Sequence, residues 1–336
     1  MDELPLIAIT MGDPAGIGPE IVLKALERDD ICQVCRPLVL GDMGALTMIS
    51  KTGGLATFEV KESPLEVTGR PGVISVIPVS NLEEDSYRPG KPTIAGGKAM
   101  VEYIVKAVEL TTRGQVSAMV TCPINKELMH RLGHQFDGHT ELLAHLTHTK
   151  DYVMMLAGDR LRVSLVTVHC ALVEVPRRLT RDLIVKTISV TFRSLKRDFG
   201  IDKPRIAVAA LNPHAGESGL FGNEDKTIVG PAVGAARDSG LLVEGPFAPD
   251  TVFYHASTGR YDAVVAMYHD QGLIPLKLLH FSDAVNISLG LPIIRTSVDH
   301  GTAYDIAGKG VADPSSLVAA IKMAAKIVGA RQRAQG

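Results

Sequence analysis

Along the chain, short runs of Val, Ile, Leu and Ala alternate with longer stretches in which apolar residues recur every three or four positions. The short runs predict strands at LIAIT (6–10), PLVLG (37–41), ISVIPV (74–79), SAMVT (117–121), YVMMLA (152–157), RVSLVTVH (162–169), RIAVAALN (205–212), DAVVAMY (262–268), AVNISL (284–289) and IIRTS (293–297). Many of these are apolar on both faces, as strands covered by helices on each side must be. Between them the helical period predicts helices over 19–26, 97–112, 140–147, 181–198, 225–238 and 314–328. Thr180 and Asp313 stand where N-caps are wanted, and Pro314 suits a first helical turn. This alternation defines an α/β fold with a largely parallel or mixed sheet. No repeat, low-complexity tract or long linker interrupts it.

At 336 residues the chain has room for one large domain or two lobes. A hydrophobic fraction of 46% supplies a core, and a net charge of −2 carries no electrostatic footprint for nucleic acid. No apolar run approaches the roughly 20 residues of a membrane span. The opening MDELPLIAIT lacks the order of a signal peptide, so a cytoplasmic location is expected. Four cysteines, Cys32, Cys35, Cys122 and Cys170, include one C-x-x-C pair without a second, and read as reduced thiols.

Two glycine loops invite a nucleotide-binding reading. GDPAGIGPE (12–20) follows the first strand, yet the spacing of Gly12, Gly16 and Gly18 matches neither G-x-G-x-x-G nor the P-loop. Its glycines and prolines suffice for a tight strand-to-helix turn. DHGTAYDIAGKG (299–310) offers small residues and backbone amides suited to a phosphate or an adenine edge, or simply an exposed turn.

Three predicted strands end in histidine: RVSLVTVH at His169, RIAVAALNPH at His214 and DAVVAMYH at His269. In α/β sheets ligands collect outside the carboxyl ends of the strands. Each imidazole alone reads best as a hydrogen-bonded structural residue. Together they read as a metal site with open coordination positions, Zn²⁺ first by ligand softness, then Mn²⁺, Co²⁺ or Ni²⁺. Asp270 is placed to hold a ring tautomer. Lys277, Asn286 and Arg295 lie in the same third of the chain, and His139 and Thr140 open a predicted helix. These groups suit a substrate bearing carboxylate or phosphate.

With these segments in view, the chain resembles the 4-hydroxythreonine-4-phosphate dehydrogenase (PdxA) family. The resemblance is carried by ITMGDPAGIGPEI, GHTELLA, LNPHAGESGLFGNED, PDTVF, VAMYHDQGLIPLK and RTSVDHGTAYDIA, between residues 9 and 307. It implies a fold like isocitrate and isopropylmalate dehydrogenases: three-layer α/β/α, two lobes around a central cleft. The expected lobes are 1–130 with 300–336, and 131–299 carrying most ligands. It also implies a homodimer whose active sites share a divalent metal (Zn, Mg, Mn, Co or Ni) between the two chains, with His169, His214 and His269 as its ligands. His139, Thr140, Lys277, Asn286 and Arg295 are implied substrate contacts. The HGTA loop is similar to the adenine-side cofactor loop of the isopropylmalate enzymes, placing His300, Gly301, Thr302 and Asp305 near NAD.

The implied reaction is NAD- and metal-dependent oxidation, with decarboxylation, of a phosphorylated four-carbon hydroxy acid. Within the family, TCPINKE (121–127) and VHCALVEVP (168–176) depart from the biosynthetic pattern, while TELLAHLTHTKDYVMML and YHDQGLIPLKLLHF look closer to the sugar-acid branch. The favoured substrate is therefore D-threonate 4-phosphate, giving dihydroxyacetone phosphate. The alternative is 4-phosphohydroxy-L-threonine, on the route to pyridoxal phosphate. Lys277, Lys126 and Asp250 are the candidate proton-transfer groups. A rival of another class is a three-histidine zinc hydrolase, which needs no NAD.

Overall fold

The computed structural model describes residues 4–53 and 56–334; the first three residues of the acidic opening, 1–3, lie outside them. Twelve strands follow in chain order: β1 Leu6–Thr10, β2 Arg36–Asp42, β3 Thr57–Val60, β4 Val73–Ser80, β5 Ala118–Thr121, β6 Val153–Ala157, β7 Arg162–Leu165, β8 Ile206–Ala209, β9 Val243–Phe247, β10 Ala263–Ala266, β11 Val285–Leu289 and β12 Arg295–Ser297. The chain forms two compact units. One comprises 1–148 and 291–329, the other 149–290 and 330–336.

In the first unit the strand order is β3-β4-β2-β1-β5-β12, and every pairing is parallel. Its central strands β1 and β5 are buried at every position, which is why they read as unbroken apolar runs. Helix Ile94–Thr112 packs on β1, β2, β4 and β5, with Thr93 capping its start by accepting the Gly96 N–H at 3.0 Å. The loop 12–18 is shaped by close backbone approach. A Cβ on Gly12, whose φ is +75°, would lie 2.3 Å from Pro123 O. One on Gly18 would lie 2.0 Å from Met11 O.

In the second unit the order is β11-β6-β7-β10-β8-β9. Here β6 runs antiparallel to both neighbours, while β7, β10, β8 and β9 are mutually parallel. The architecture is therefore mixed α/β with parallel pairing dominant, as the alternating pattern predicts. Helix Arg181–Phe199 is capped by Thr180 and stopped by Gly200 in the left-handed region, φ +68°. At its end the buried Asp198 accepts from Arg331 Nε and from Arg197 Nε, both at 2.7 Å.

Several elements differ from the sequence pattern. The strand expected to run to His169 ends at Leu165, the remaining residues bending while still bonding to the β10 end. The strand expected over 262–268 stops at Ala266, and helix His269–Leu279 begins at His269 itself. Strands β3 and β9 were not predicted; β3 is partly exposed at the edge of its sheet, and β9, sequence VEGPF, holds a charge, a glycine and a proline. The four cysteines are free thiols.

Candidate active site

Because β7, β10 and β8 are adjacent and parallel, their carboxyl ends face the same way, and each leads within a few residues to a histidine. Gln271 ties these ends together. Its side-chain oxygen accepts the Met267 N–H at 2.7 Å, and its amide donates to Ala210 O at 2.6 Å, bridging the end of β10 to that of β8. Thr167 beyond β7 donates to Met267 O from its hydroxyl at 2.8 Å and from its N–H at 3.2 Å. One buried carboxamide thus fixes the mutual register of the segments that carry the histidines.

His169 and His269 come together, ring centroids 6.0 Å apart, beside a cavity of about 460 Å³ that both line with Asp270. Asp270 Oδ1 lies 2.7 Å from His269 Nδ1. An ionised carboxylate only accepts, so this contact assigns the proton to Nδ1 and leaves the Nε2 lone pair for a ligand. That donor set fits a divalent metal.

His214 sits differently. It opens a left-handed turn in which His214, Ala215, Gly216, Glu217 and Ser218 all have positive φ, from +41° to +76°. Four of those five are not glycine, and each bears a conformational cost of roughly 1–2 kcal/mol. Asp225 holds the turn by accepting the N–H groups of Leu211 at 2.6 Å and Asn212 at 3.0 Å. The His214 ring packs on Phe221 at 6.2 Å. Among the described residues of this one chain, no three His, Cys, Asp or Glu side chains close on a common point.

The first unit carries a second cluster. Arg295, on β12, is buried, and its Nε and Nη2 donate to Thr121 Oγ1 on β5 at 3.1 and 2.7 Å. Burial pushes its guanidinium down to about 9, with Glu141 opposing, so it is still a cation at neutral pH. His139 begins helix His139–Leu146 and Thr140 is buried in the first turn. Although His139 as a residue is half-buried, its Nε2 is out of solvent and has no hydrogen-bond partner; Glu141 Oε2 is in the same position. Burial first, then the charges of Arg295 and Lys126, hold the His139 imidazole well below its ordinary range, and therefore neutral. Lys126 reaches over Gly138, where an added Cβ would stand 3.8 Å from its Nζ. Orphaned buried polar atoms cost about 1–3 kcal/mol each. The charges of Arg295 and Lys126 are both felt at the His139 ring, so these groups form one cluster.

The other predicted residues fall as follows. Lys277 is half-buried on the helix that starts at His269, Asn286 is half-buried on β11, and Asp250 is exposed in the first turn of helix Pro249–Ser257. All three belong to the second unit. His300, Gly301, Thr302 and Asp305 lie on the loop after β12, in the first unit. There the backbone N–H groups of Gly301, Thr302 and Ala303 donate to no protein group among the described residues, and all three residues are at least partly open to solvent. An open row of free donors fits a cofactor's phosphates or base. Sequence reasoning missed Gln271, Asp225, Thr121 and Glu141. Gln271 and Glu141 stand inside the quoted HDQG and GHTE segments, but their roles need the fold.

An α/β scaffold with imidazoles at parallel strand ends and a buried guanidinium is a setting in which small ligands are commonly bound. Comparison with known proteins makes this specific. Residues 33–324 match the family described as pyridoxal phosphate biosynthetic protein PdxA. The chain is 54% identical over 325 residues to 4-hydroxythreonine-4-phosphate dehydrogenase of Desulforapulum autotrophicum, covering 96% of each. It is 47% identical over 328 residues to D-threonate 4-phosphate dehydrogenase of Salmonella typhimurium, covering 97% of this chain and 99% of that one. A crystal structure of 4-hydroxythreonine-4-phosphate dehydrogenase from Klebsiella pneumoniae superposes with a TM-score of 0.89 at 46% identity, covering 96% of this chain and 99% of that one. The chain belongs to the PdxA family. It is a dehydrogenase, an oxidoreductase acting on a secondary alcohol of a phosphorylated hydroxy acid.

Two outcomes are expected from this geometry. Gln271→Leu leaves the Met267 N–H and the Ala210 carbonyl unsatisfied; denaturant unfolding should show a loss of about 2–3 kcal/mol. His139 has a folded-state pKa below its unfolded value, so the unfolded chain takes up the proton first. Its contribution is intact above about pH 6.5 and is lost as pH falls below that. His139→Gln should flatten the decline of stability with falling pH over that window, as followed by unfolding titrations.

Proposed function

We propose that the chain is an NAD-dependent, divalent-metal-requiring dehydrogenase that oxidises, with decarboxylation, a phosphorylated four-carbon hydroxy acid. The observation that carries this reading is the first-unit cluster: the buried Arg295 cation, Lys126, and the orphaned His139 Nε2 and Glu141 Oε2. Arg295 and Lys126 suit the anionic groups of such a substrate, and Thr140 offers a hydroxyl beside them. His139, kept neutral, serves as a hydrogen-bond partner for a substrate hydroxyl and adds no third positive charge. In the second unit Lys277 and Asn286 are the remaining substrate contacts of this reading.

His169, His214 and His269 are the proposed metal ligands, with Asp270 holding the His269 tautomer. Bound there, a divalent metal would acidify the substrate alcohol and stabilise the enolate left by loss of CO₂, and NAD held by His300, Gly301, Thr302 and Asp305 would accept the hydride. The proton is assigned to a lysine, Lys277 or Lys126, in preference to Asp250, which stands exposed to water.

Two substrates fit this chemistry. The segments around residues 140–156 and 268–281 favour D-threonate 4-phosphate. The higher identity to a 4-hydroxythreonine-4-phosphate dehydrogenase, 54% against 47%, favours 4-phosphohydroxy-L-threonine. A homodimer is part of the proposal, and its support is apolar surface. Ile274 and Leu278 lie one turn apart on the helix that begins at His269, and with Phe281 just beyond it they are 61%, 82% and 83% exposed. Leu172, Val173 and Leu220 in the same unit are also open. Among the described residues no helix is long and apolar enough to cross a membrane; the enzyme is proposed to work in the cytoplasm.

Formation of NADH by the purified protein should depend on one of the two phosphorylated acids, compared side by side, and should disappear on chelation and return with added metal. Substrate turnover without NAD would instead establish the hydrolase. Leu278→Glu should convert a dimer to monomer in analytical ultracentrifugation, with activity falling at least tenfold; a wild-type monomer with full activity removes the shared site.

A further inference from the structure

The loop assigned to the cofactor is anchored by a set of contacts that the proposed reaction does not use. The Tyr304 hydroxyl donates to Asp13 Oδ2 at 2.5 Å and accepts from Asn125 Nδ2 at 2.8 Å. Asp13 is fully buried; its other oxygen accepts the Ala15 N–H at 2.9 Å, and its own N–H donates to Pro123 O at 3.0 Å. Asn125 Oδ1 accepts the Leu128 N–H at 3.0 Å and so caps helix Lys126–Arg131. Three loops, 12–18, 122–125 and 300–308, therefore meet at one phenol, all within the first unit.

The backbone around the phenol is closely constrained. Ala303, the residue before it, is held at φ +43°, a left-handed conformation unusual for a residue with a side chain. The Ile17 N–H donates to Thr302 O at 3.0 Å, and a Cβ on Gly90 would stand 2.9 Å from Tyr304 O. Burial raises the Asp13 carboxyl above its ordinary range and, first among its causes, raises the Tyr304 hydroxyl as well, so this contact lies in a dry environment where hydrogen bonds are strong. Removing the hydroxyl would leave Asp13 Oδ2 and the Asn125 amide short of a partner, at the very place where the loop with free amides is held.

We propose that Tyr304 is a positioning residue for the nicotinamide cofactor: bonded to Asp13 and Asn125, its hydroxyl sets the 301–303 amides in a fixed array. The inference rests on the assignment of this loop to NAD. A leucine or phenylalanine at 304 would leave the loop to the Ile17 N–H bond on Thr302 O and to packing.

Calorimetric titration of the full chain with NAD tests it, using wild type, Tyr304→Phe, Asp13→Asn and the double variant. Each single change is expected to weaken NAD binding about tenfold. The double should be no weaker than the worse single, because both changes break the same contact. Asn125→Asp keeps the cap oxygen but cannot donate to the phenol, and should weaken NAD binding by the same factor of about ten, which keeps the test open should Asp13→Asn not fold. Wild-type affinity in Tyr304→Phe, or losses that multiply in the double variant, overturn the positioning role and leave the cofactor assignment intact. A wild-type chain that binds no NAD overturns the cofactor assignment, and this inference with it.

Discussion

The carboxamide of Gln271 bonds to two neighbouring strand ends at once, taking the Met267 N–H on its oxygen and giving its own N–H to Ala210 O. Parallel strands alone do not fix what happens past their last ladder bond, because the chain there is free to turn in several ways. Here the turns must be fixed, since His169, His214 and His269 all lie within five residues of a strand end. A side chain with one donor and one acceptor can hold two such ends, and a buried site makes both bonds strong. The helix that begins at His269 then inherits its starting position from that bridge, and the adjacent segment at Thr167 is held through Met267 O.

The two units solve different electrostatic problems. In the second, the histidine pair faces open space, and Asp270 fixes a tautomer without burying a charge. In the first, Arg295 is taken out of water on β12, where its Nε and Nη2 donate to Thr121 Oγ1 and the charge of Glu141 opposes the effect of burial. A buried cation beside a neutral imidazole whose Nε2 has no hydrogen-bond partner is the feature on which the proposed substrate site rests.

The core of this structure could be read along the chain because its central strands are buried on both faces and helix Arg181–Phe199 carries the cap expected at Thr180; the Thr93 cap, which starts helix Ile94–Thr112 three residues before the expected 97, was not read. The edges could not. β9 contains Glu244, Gly245 and Pro246, residues that argue against a strand wherever both neighbours must be paired. The histidines announced themselves by following apolar runs, and Arg295 and His139 by motif resemblance. Gln271, Asp225 and Tyr304 stand inside the quoted motifs without showing their roles there: their partners reach up to 291 positions away, and a polar residue near a loop looks the same in sequence whether it holds that loop or merely borders it.

Arg295 and Thr121 stand 174 positions apart in sequence, yet β12 and β5 are neighbours in one sheet. The first unit is thus interrupted by the whole of residues 149–290 and closes only when 291–329 return to it. During synthesis its sheet must wait, open at β5, until most of the chain has left the ribosome. The Arg295–Thr121 contact is therefore a late product of folding, and a chain cut short before β12 exposes the unpaired edge of β5, an invitation to the wrong partner strand.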